Sequence, residues 1–584
     1  PGSTRMSFAK RTFEKPIPIS PTISLDRERC ILCYRCTRFS EAVAEDGELV
    51  AVNRGAQSMI TTFEDEPYTG RFSGNVTELC PVGALLPTQY RFRGRPWEIQ
   101  NVPTVCGMCP VGCNTHATTR EGRVRRILSR NHFEVDGGWL CDKGRFAFTH
   151  LYADDRITDP LRRVRRRGFE QISWDEAVDE AERLLRAANG RVVTALSGSE
   201  TIELAYGLGK LLRRGIGAHD AVLPEEVSPA LDAYRAPLSS IAEADVVIVL
   251  GDVPVEERAP IVELWIKAAR RNGAQILYRL EEETVRGAKR AVLIWSGPGG
   301  GAGATVAAHA ERLGASAAFY LPVTPNGRGI ADAWAAAADE EAESDGSIRL
   351  LIVSGDEAAS DPSVRAMAER ANAVIAITMF HGLAVGWADL VLPGTSYLER
   401  DGTYVNLEGR LQRLRRSAIP PAPDELAWIS KLAGRFGVEL APHASSIFEE
   451  LSAVAYGGLP FGEVGERAPL RRYTQPSPAP ASAARQEEPG EGLQLLCYRP
   501  LFAGPAVERV AELQFQRPRP EVELSETDAR SRGLAEGDQV TVSHNGTSLS
   551  LRAKVDRSLR AGIVRVSTEH AGDLHSGRVE VVKA

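Results

Sequence analysis

The chain is sparing with sulfur: 584 residues hold five methionines and nine cysteines. It has no apolar run approaching the roughly 20 residues that a membrane-spanning helix needs, so any membrane association would run through partners. It has no cationic excess. The 70 lysines and arginines stand against 77 acidic residues, a net charge of −7, which excludes a global attraction to nucleic acid. No secretory signal opens it. A chain of this length, 43% hydrophobic and 25% charged, is expected to hold several domains with cores that need no disulfide staples.

What cysteine there is, is concentrated. Eight of the nine cysteines lie between residues 30 and 141, in two sets. Cys30, Cys33 and Cys36 follow one another at two-residue spacing, and Cys80, with Pro81 behind it, stands alone. Cys106, Cys109 and Cys113 form a second triplet, closed by Cys141. Three thiolates on one tight loop suit three corners of an iron–sulfur cube, and a remote cysteine closes the fourth. The spacing therefore favours two [4Fe–4S] clusters. Four-cysteine zinc remains the competing reading, but zinc more often takes two separated pairs. Thiolate ligands imply a reducing compartment, hence the cytoplasmic side.

The rest divides by pattern. Residues 1–20 form an extension with Lys10, Arg11 and Lys15, made extended at its end by Pro16, Pro18 and Pro21; without a start methionine it reads as cut from something longer. Residues 21–98 read as a ferredoxin-like domain. Its strands are expected at Ile23 and Leu25, at Leu49 to Val52 and at Met59 to Phe63, with a short helix from Thr37 to Ala44. Residues 99–160 read as a second cluster domain, with a strand through Val124, Arg126 and Leu128. Lys143, two residues past Cys141, could pass charge to a second cofactor; position alone favours a solvated cation beside an anionic cluster. Arg162 to Arg167 hold five arginines, read as a solvated connection rather than a phosphate grip.

From 161 to 465 the pattern is α/β. Trp174 to Ala188 reads as a helix capped by Ser173. Apolar runs at Val192 to Leu196, Val246 to Leu250, Ile276 to Tyr278, Val292 to Trp295, Leu350 to Val353 and Val374 to Ile377 alternate with helical stretches, which implies a parallel sheet covered on both faces. The glycine-rich run from Gly297 to Gly303 matches a dinucleotide fingerprint only loosely and reads as a plain βα turn. Residues 466–492 are poor in apolar residues and read as a linker. Residues 493–584, with strands at Gln539 to Ser543, Ser548 to Ala553 and Ile563 to Val566, read as a small β-barrel. Cys497 reads as a small buried hydrophobe.

Four segments carry a resemblance: Lys15-Pro16-Ile17-Pro18-Ile19-Ser20-Pro21, Leu25-Asp26-Arg27-Glu28-Arg29-Cys30, Leu79-Cys80-Pro81-Val82-Gly83-Ala84-Leu85, and the stretch from Ser396 to Arg410. Through them the chain closely resembles the G subunits of bacterial NADH-quinone oxidoreductase, respiratory complex I. The α/β region and barrel resemble the molybdopterin oxidoreductase superfamily, the barrel through Ser525-Glu526-Thr527-Asp528-Ala529, Gly533-Leu534 and Glu536-Gly537-Asp538. The resemblance implies an electron-relay subunit of the peripheral arm, on the cytoplasmic side of the bacterial plasma membrane. Its partners would be the flavin- and NADH-binding subunit and the subunits carrying clusters toward quinone, with no nucleic acid.

Two departures stand out. The [2Fe–2S] domain and the segment with one histidine and three cysteine ligands that normally open the family are missing, whether cleaved off or carried on another polypeptide. The α/β region also lacks a metal-binding position: working relatives place a cysteine, selenocysteine or serine on molybdenum, and near that place the chain reads Val222 to Ser228, with no thiol and with Ser228 as the one candidate, which reads more readily as a helix-start or loop serine. No molybdopterin is therefore expected, and the second cluster, deprived of a redox partner, is expected to act as a structural staple. The alternatives are a molybdenum enzyme such as a formate dehydrogenase, and a non-redox scaffold holding zinc.

Overall fold

A computed structural model describes residues 12–164, 166–224, 229–298, 301–337, 347–465, 469–470, 492–544, 546–557, 559–574 and 577–584. Lys10, Arg11, Ser228, residues 299–300 and residues 471–491 lie outside the described residues.

The first cysteine set is carried by two small sheets. Ile23–Leu25, wholly buried, pairs antiparallel with Ile17–Pro18 on one side and Leu85–Pro87 on the other. Leu49–Val52 pairs with Met59–Thr62. The expected helix after Cys36 is a single turn, Arg35–Phe39, that runs on into a wider turn at Ser40–Ala44. The second set lies at the end of a three-stranded meander, Gln100–Val105, Asn114–Arg120 and Arg123–Ser129.

The α/β region holds two sheets rather than the single one expected. Four parallel strands, Gln275–Leu277, Val246–Leu250, Ala291–Ser296 and Ala317–Leu321, form one. The other has seven strands. Its parallel part runs Leu390–Pro393, Ala373–Thr378, Leu350–Ser354, Val192–Leu196 and Asp220–Val222. Apolar runs report burial but not which neighbour covers them, so their pattern is the same for one sheet or two. The arginine run forms a hairpin on the edge of the larger sheet: Leu161–Val164 pairs with Gly168–Gln171 and with Leu390–Pro393. Arg162 meets Glu170, and Arg163 lies 4.7 Å over the Phe169 ring.

Trp174–Ala188 forms the helix its pattern demands. Ala177, Val178, Ala181, Leu184, Leu185 and Ala188 recur at helical spacing and are buried, and Ser173 and Glu176 close a capping box, a feature contributing about 1 kcal/mol. The described part of the glycine run is a packed βα turn. A side chain on Gly303, at φ +98°, would lie 2.2 Å from Leu231, and the helix Ala304–Leu313 starts directly after it.

Residues from Leu493 onward close a six-stranded barrel whose core includes Val522, Leu524, Val540 and Val564. Cys497 is half-buried there, its Sγ donating to the Leu574 carbonyl at 3.2 Å. Ion pairs tie the barrel segment to the body: Arg560 to Asp252 at 2.8 Å and Arg509 to Asp155 at 2.6 Å.

Candidate iron–sulfur sites and the neighbouring cavity

Cys30, Cys33, Cys36 and Cys80 line one small apolar pocket with Leu25, Ile60 and Leu85. Asp26 caps the turn Arg27–Arg29 by accepting from the Glu28 amide at 3.1 Å, and that turn delivers Cys30. Leu32 and Tyr34 adopt left-handed backbone, with φ of 54° and 57°. Such conformations cost non-glycine residues of order 1 kcal/mol, and here they wind three cysteines around one point. Cys80 arrives as the C-cap of Asn75–Leu79. The site lies near the surface. Ile31 and Tyr34 on its rim are 61% and 40% exposed, and only Cys36 among the four thiols is buried. Burial pushes the Cys36 thiol up to about 11, against the pull of the Thr37 amide, and the neighbouring Cys30 and Cys33 add to the rise.

The second set is inside. Cys106, Cys109, Cys113 and Cys141 are each no more than 6% exposed. The Cys106 amide donates to the Cys113 carbonyl at 2.8 Å and closes the loop. Gly112, at φ +67°, tolerates no side chain, since a Cβ would lie 2.0 Å from Gln412 Oε1. Cys141 caps the turn Asp142–Phe146, its Sγ accepting from the Gly144 amide at 3.5 Å. Burial pushes Cys141 up to about 12, with Cys109 adding to it; Cys106 and Cys113 move the same way for the same first cause. Buried thiols placed together like this would stay protonated, and a metal centre that takes the charge is what such a set is suited to. Among the described residues no three His, Cys, Asp or Glu side chains converge as ligands of a single ion would; the first set lines one shared pocket.

The stretch from Ser396 to Arg410 turns out to be the wall of this second site. Asn406 Nδ2 donates to the Val111 carbonyl at 3.0 Å, the Leu407 amide to Pro110 at 2.9 Å, and nearby Gln412 Nε2 to Gly112 at 2.7 Å. Arg410, 1% exposed, pairs at 2.7 Å with both Glu408 and Glu134. Residues some 300 positions apart thus hold one loop, a contact no local pattern could announce. Asp142 is a second unforeseen link. Fully buried, it accepts from Ser73 Oγ, from the Gly74 amide at 2.8 Å and from Gln516 at 3.3 Å, and so joins both cysteine regions to the barrel segment.

Beside Cys109 lies a cavity of about 110 Å³. It opens beyond the carboxyl ends of Val192–Leu196 and Leu350–Ser354, where the order of the larger sheet reverses direction, the usual place for a ligand in an open α/β sheet. Lys143 lines it and is 8% exposed. It is therefore not the solvated cation expected; burial, reinforced by Arg499, depresses its pKa.

The cavity carries charge of both signs, with Lys143, Arg258, Arg400 and Arg499 on its lining. The Ser197 and Gly198 amides at the head of the strand-to-helix turn could cradle a phosphate. They donate instead to the carboxylate of Glu200, at 3.1 and 3.0 Å. Asp356, Glu357 and Glu425 also line the space. Burial, then repulsion from Glu357, pushes Asp356 up to about 7. No cysteine follows Cys141 except Cys497, in the barrel.

Known proteins fit this layout. Residues 20–86 match the NADH-quinone oxidoreductase subunit 3 ferredoxin-like domain, and residues 99–153 the molybdopterin oxidoreductase Fe4S4 domain. Residues 156–288 and 304–425 match molybdopterin oxidoreductase, and 506–581 the molybdopterin dinucleotide binding domain. The G subunit of Mycobacterium bovis NADH-quinone oxidoreductase is 31% identical over 94% of this chain and 78% of its own length. The chain belongs to the G-subunit family of NADH-quinone oxidoreductase.

Another member of the family, from Streptomyces coelicolor, is 32% identical over 75% of this chain and 65% of its own. Subunit 3 of the Thermus thermophilus oxidoreductase is 42% identical over 45% of this chain and 33% of its own. Acetylene hydratase from Pelobacter acetylenicus shares the fold, with a TM-score of 0.51 at 14% identity, covering 80% of this G-subunit chain and 92% of the hydratase. Iron–sulfur clusters are thus this chain's cofactor class, carried by regions that match the ferredoxin-like and Fe4S4 domains.

Proposed function

We propose that this chain relays electrons within the peripheral arm of NADH-quinone oxidoreductase, with Cys30, Cys33, Cys36 and Cys80 holding one [4Fe–4S] cluster and Cys106, Cys109, Cys113 and Cys141 a second. The observation that carries the reading is the convergence of four thiols on one apolar pocket inside the segment matching the subunit 3 ferredoxin-like domain. A cluster held there accepts and releases single electrons. The chain's own residues supply the rest. The wound loop at Leu32 and Tyr34 fixes the thiols, Leu25, Ile60 and Leu85 exclude water, and exposed Ile31 and Tyr34 leave a thin cover toward a neighbouring subunit.

The partners are the flavin- and NADH-binding subunit and the subunits that carry clusters toward quinone. The complex sits peripherally on the cytoplasmic side of the membrane; no helix among the described residues is long and apolar enough to cross it. The domain division is 21–98, 99–160, 161–465 and 493–584, with 466–492 as linker. The buried second site acts as a staple, and the chain binds no molybdopterin, a reading supported by the carboxylate that already occupies the turn amides. The formate dehydrogenase alternative meets the same obstacle.

Elemental analysis of the assembled complex tests this reading. It requires iron, with neither zinc nor molybdenum in stoichiometric amount. Zinc in these sites would leave only a scaffold, and stoichiometric molybdenum would promote the molybdenum enzyme.

A further inference from the structure

Three of the most exposed apolar side chains among the described residues lie around one hairpin. Phe92, Trp97 and Ile419 are 85%, 80% and 75% exposed. Hydrogen bonds and an ion pair bring the segments that carry them together. Arg120 donates to the Arg93 carbonyl at 3.3 Å and pairs with Glu98 at 3.4 Å, next to Trp97. Arg120 also faces Arg123 across the turn at Glu121-Gly122, and the Ile419 amide donates to Gly122 at 3.0 Å.

The two segments 90–98 and 120–126 carry Arg91, Arg93, Arg95, Arg120, Arg123, Arg125 and Arg126 against Glu98 and Glu121, with Arg93, Arg95 and Arg123 exposed. Seven arginines against two carboxylates in these segments is an exception on a chain of net charge −7. The patch is held in shape. Arg126 lies 4.0 Å over the Tyr90 ring and Arg123 lies 4.1 Å over Tyr152. Arg95 and Glu98 close a capping box around Pro96 and Trp97, and Phe92 is set by left-handed backbone at φ +64°.

From these observations we infer that the surface of residues 90–98, the 120–126 strand end and Ile419 is a docking face for an acidic surface of another subunit of the same oxidoreductase. The inference rests on the subunit reading above. Tryptophan, phenylalanine and arginine are the residues that concentrate binding energy at protein interfaces. Arginine pairs in planar, two-pronged fashion with carboxylates at fixed positions, and the exposed Phe92, Trp97 and Ile419 call for an apolar protein surface to cover them, which neither a lipid headgroup nor a nucleic-acid backbone offers. The cationic excess and the apolar groups together select an acidic protein face.

The experiment uses the intact complex. A photoreactive phenylalanine analogue is placed at Trp97, with Val454, exposed on Ala444–Ala455, as the control position. Cross-links from position 97 to an acidic segment of another subunit are expected, and none from 454 to that segment. In parallel, an Arg93→Glu, Arg95→Glu, Trp97→Ala variant is expected to be retained in the purified complex on the order of tenfold less than wild type at raised salt. Its iron per chain should be unchanged, since these side chains are exposed and do not line the first site's pocket. Both results are required. Wild-type retention of the variant, or cross-links confined to this chain, lipid or nucleic acid, overturns the docking face. Missing iron in the wild-type chain would instead count against the relay reading, which the retention assay does not depend on.

Discussion

The two four-cysteine sites offer the same ligands in opposite surroundings. The first lies under a thin rim, with Ile31 and Tyr34 facing solvent and three of its thiols part-exposed. The second is closed over by a wall brought from the far end of the α/β region, with every thiol buried. Exposure suits exchange with a neighbour. Burial suits folding, because a centre that ties Cys141 to a loop beginning at Cys106 adds its binding energy to the folded state alone. The cavity on the far side of the second site is lined in part by the chain's own carboxylates, and Glu200 takes the turn amides there.

The sharpest way to break this contrast is at the first site. Cys33→Ala removes one of four ligands from the route, and NADH-driven quinone reduction should be abolished. Reduction of a soluble acceptor at the flavin should persist in assembled complex. Steady-state assays with the two acceptors check this, and normal quinone reduction by assembled variant would refute the assignment.

Arg410→Ala tests the wall. It strands Glu408 without its buried partner, a loss of about 3–5 kcal/mol. Thermal unfolding should move down strongly and the second cluster should be lost with the wall, while the first keeps its reduced-state signal. Equal loss of both clusters would show that the two sites are not independently supported.

A pH series probes the cavity. The folded chain keeps the Asp356 proton up to about pH 7, whereas an unfolded chain releases it near the ordinary 3.8. Stability should therefore fall as pH rises through that window. Asp356→Asn removes this contribution, so its melting temperature should fall less than that of wild type between pH 5 and pH 8. Parallel curves would reject a buried, protonated Asp356.

The smallest effect is expected at Lys143. If the cavity holds no cofactor, Lys143→Met keeps most of the side-chain volume and should leave quinone reduction per flavin unchanged. A clear drop would give the buried amine a part in the electron route.

Much of this contrast could be read along the chain. The capped helix at Ser173 and the alternating strands of the barrel are local patterns, and each stands in the fold where its chemistry puts it; the cysteine spacing is local too, and its first set lines one pocket. What stayed hidden depends on distance in the sequence. The split into two sheets turns on which apolar strand neighbours which. The burial of Lys143 turns on a cavity built from strands far away in the chain, which also brings Arg499 to it. The wall from Ser396 to Arg410 could be recognised as a family signature, but its purpose emerged only when Asn406 and Leu407 met Pro110 and Val111.

The claim that one site relays and the other staples comes down to a single ratio. In Cys109→Ala complex, quinone reduction is measured against flavin content, with the first cluster confirmed by its reduced-state signal. The account predicts less assembled complex but a ratio close to wild type. A several-fold fall in that ratio, with the first cluster intact, would place the buried site on the electron path and contradict it.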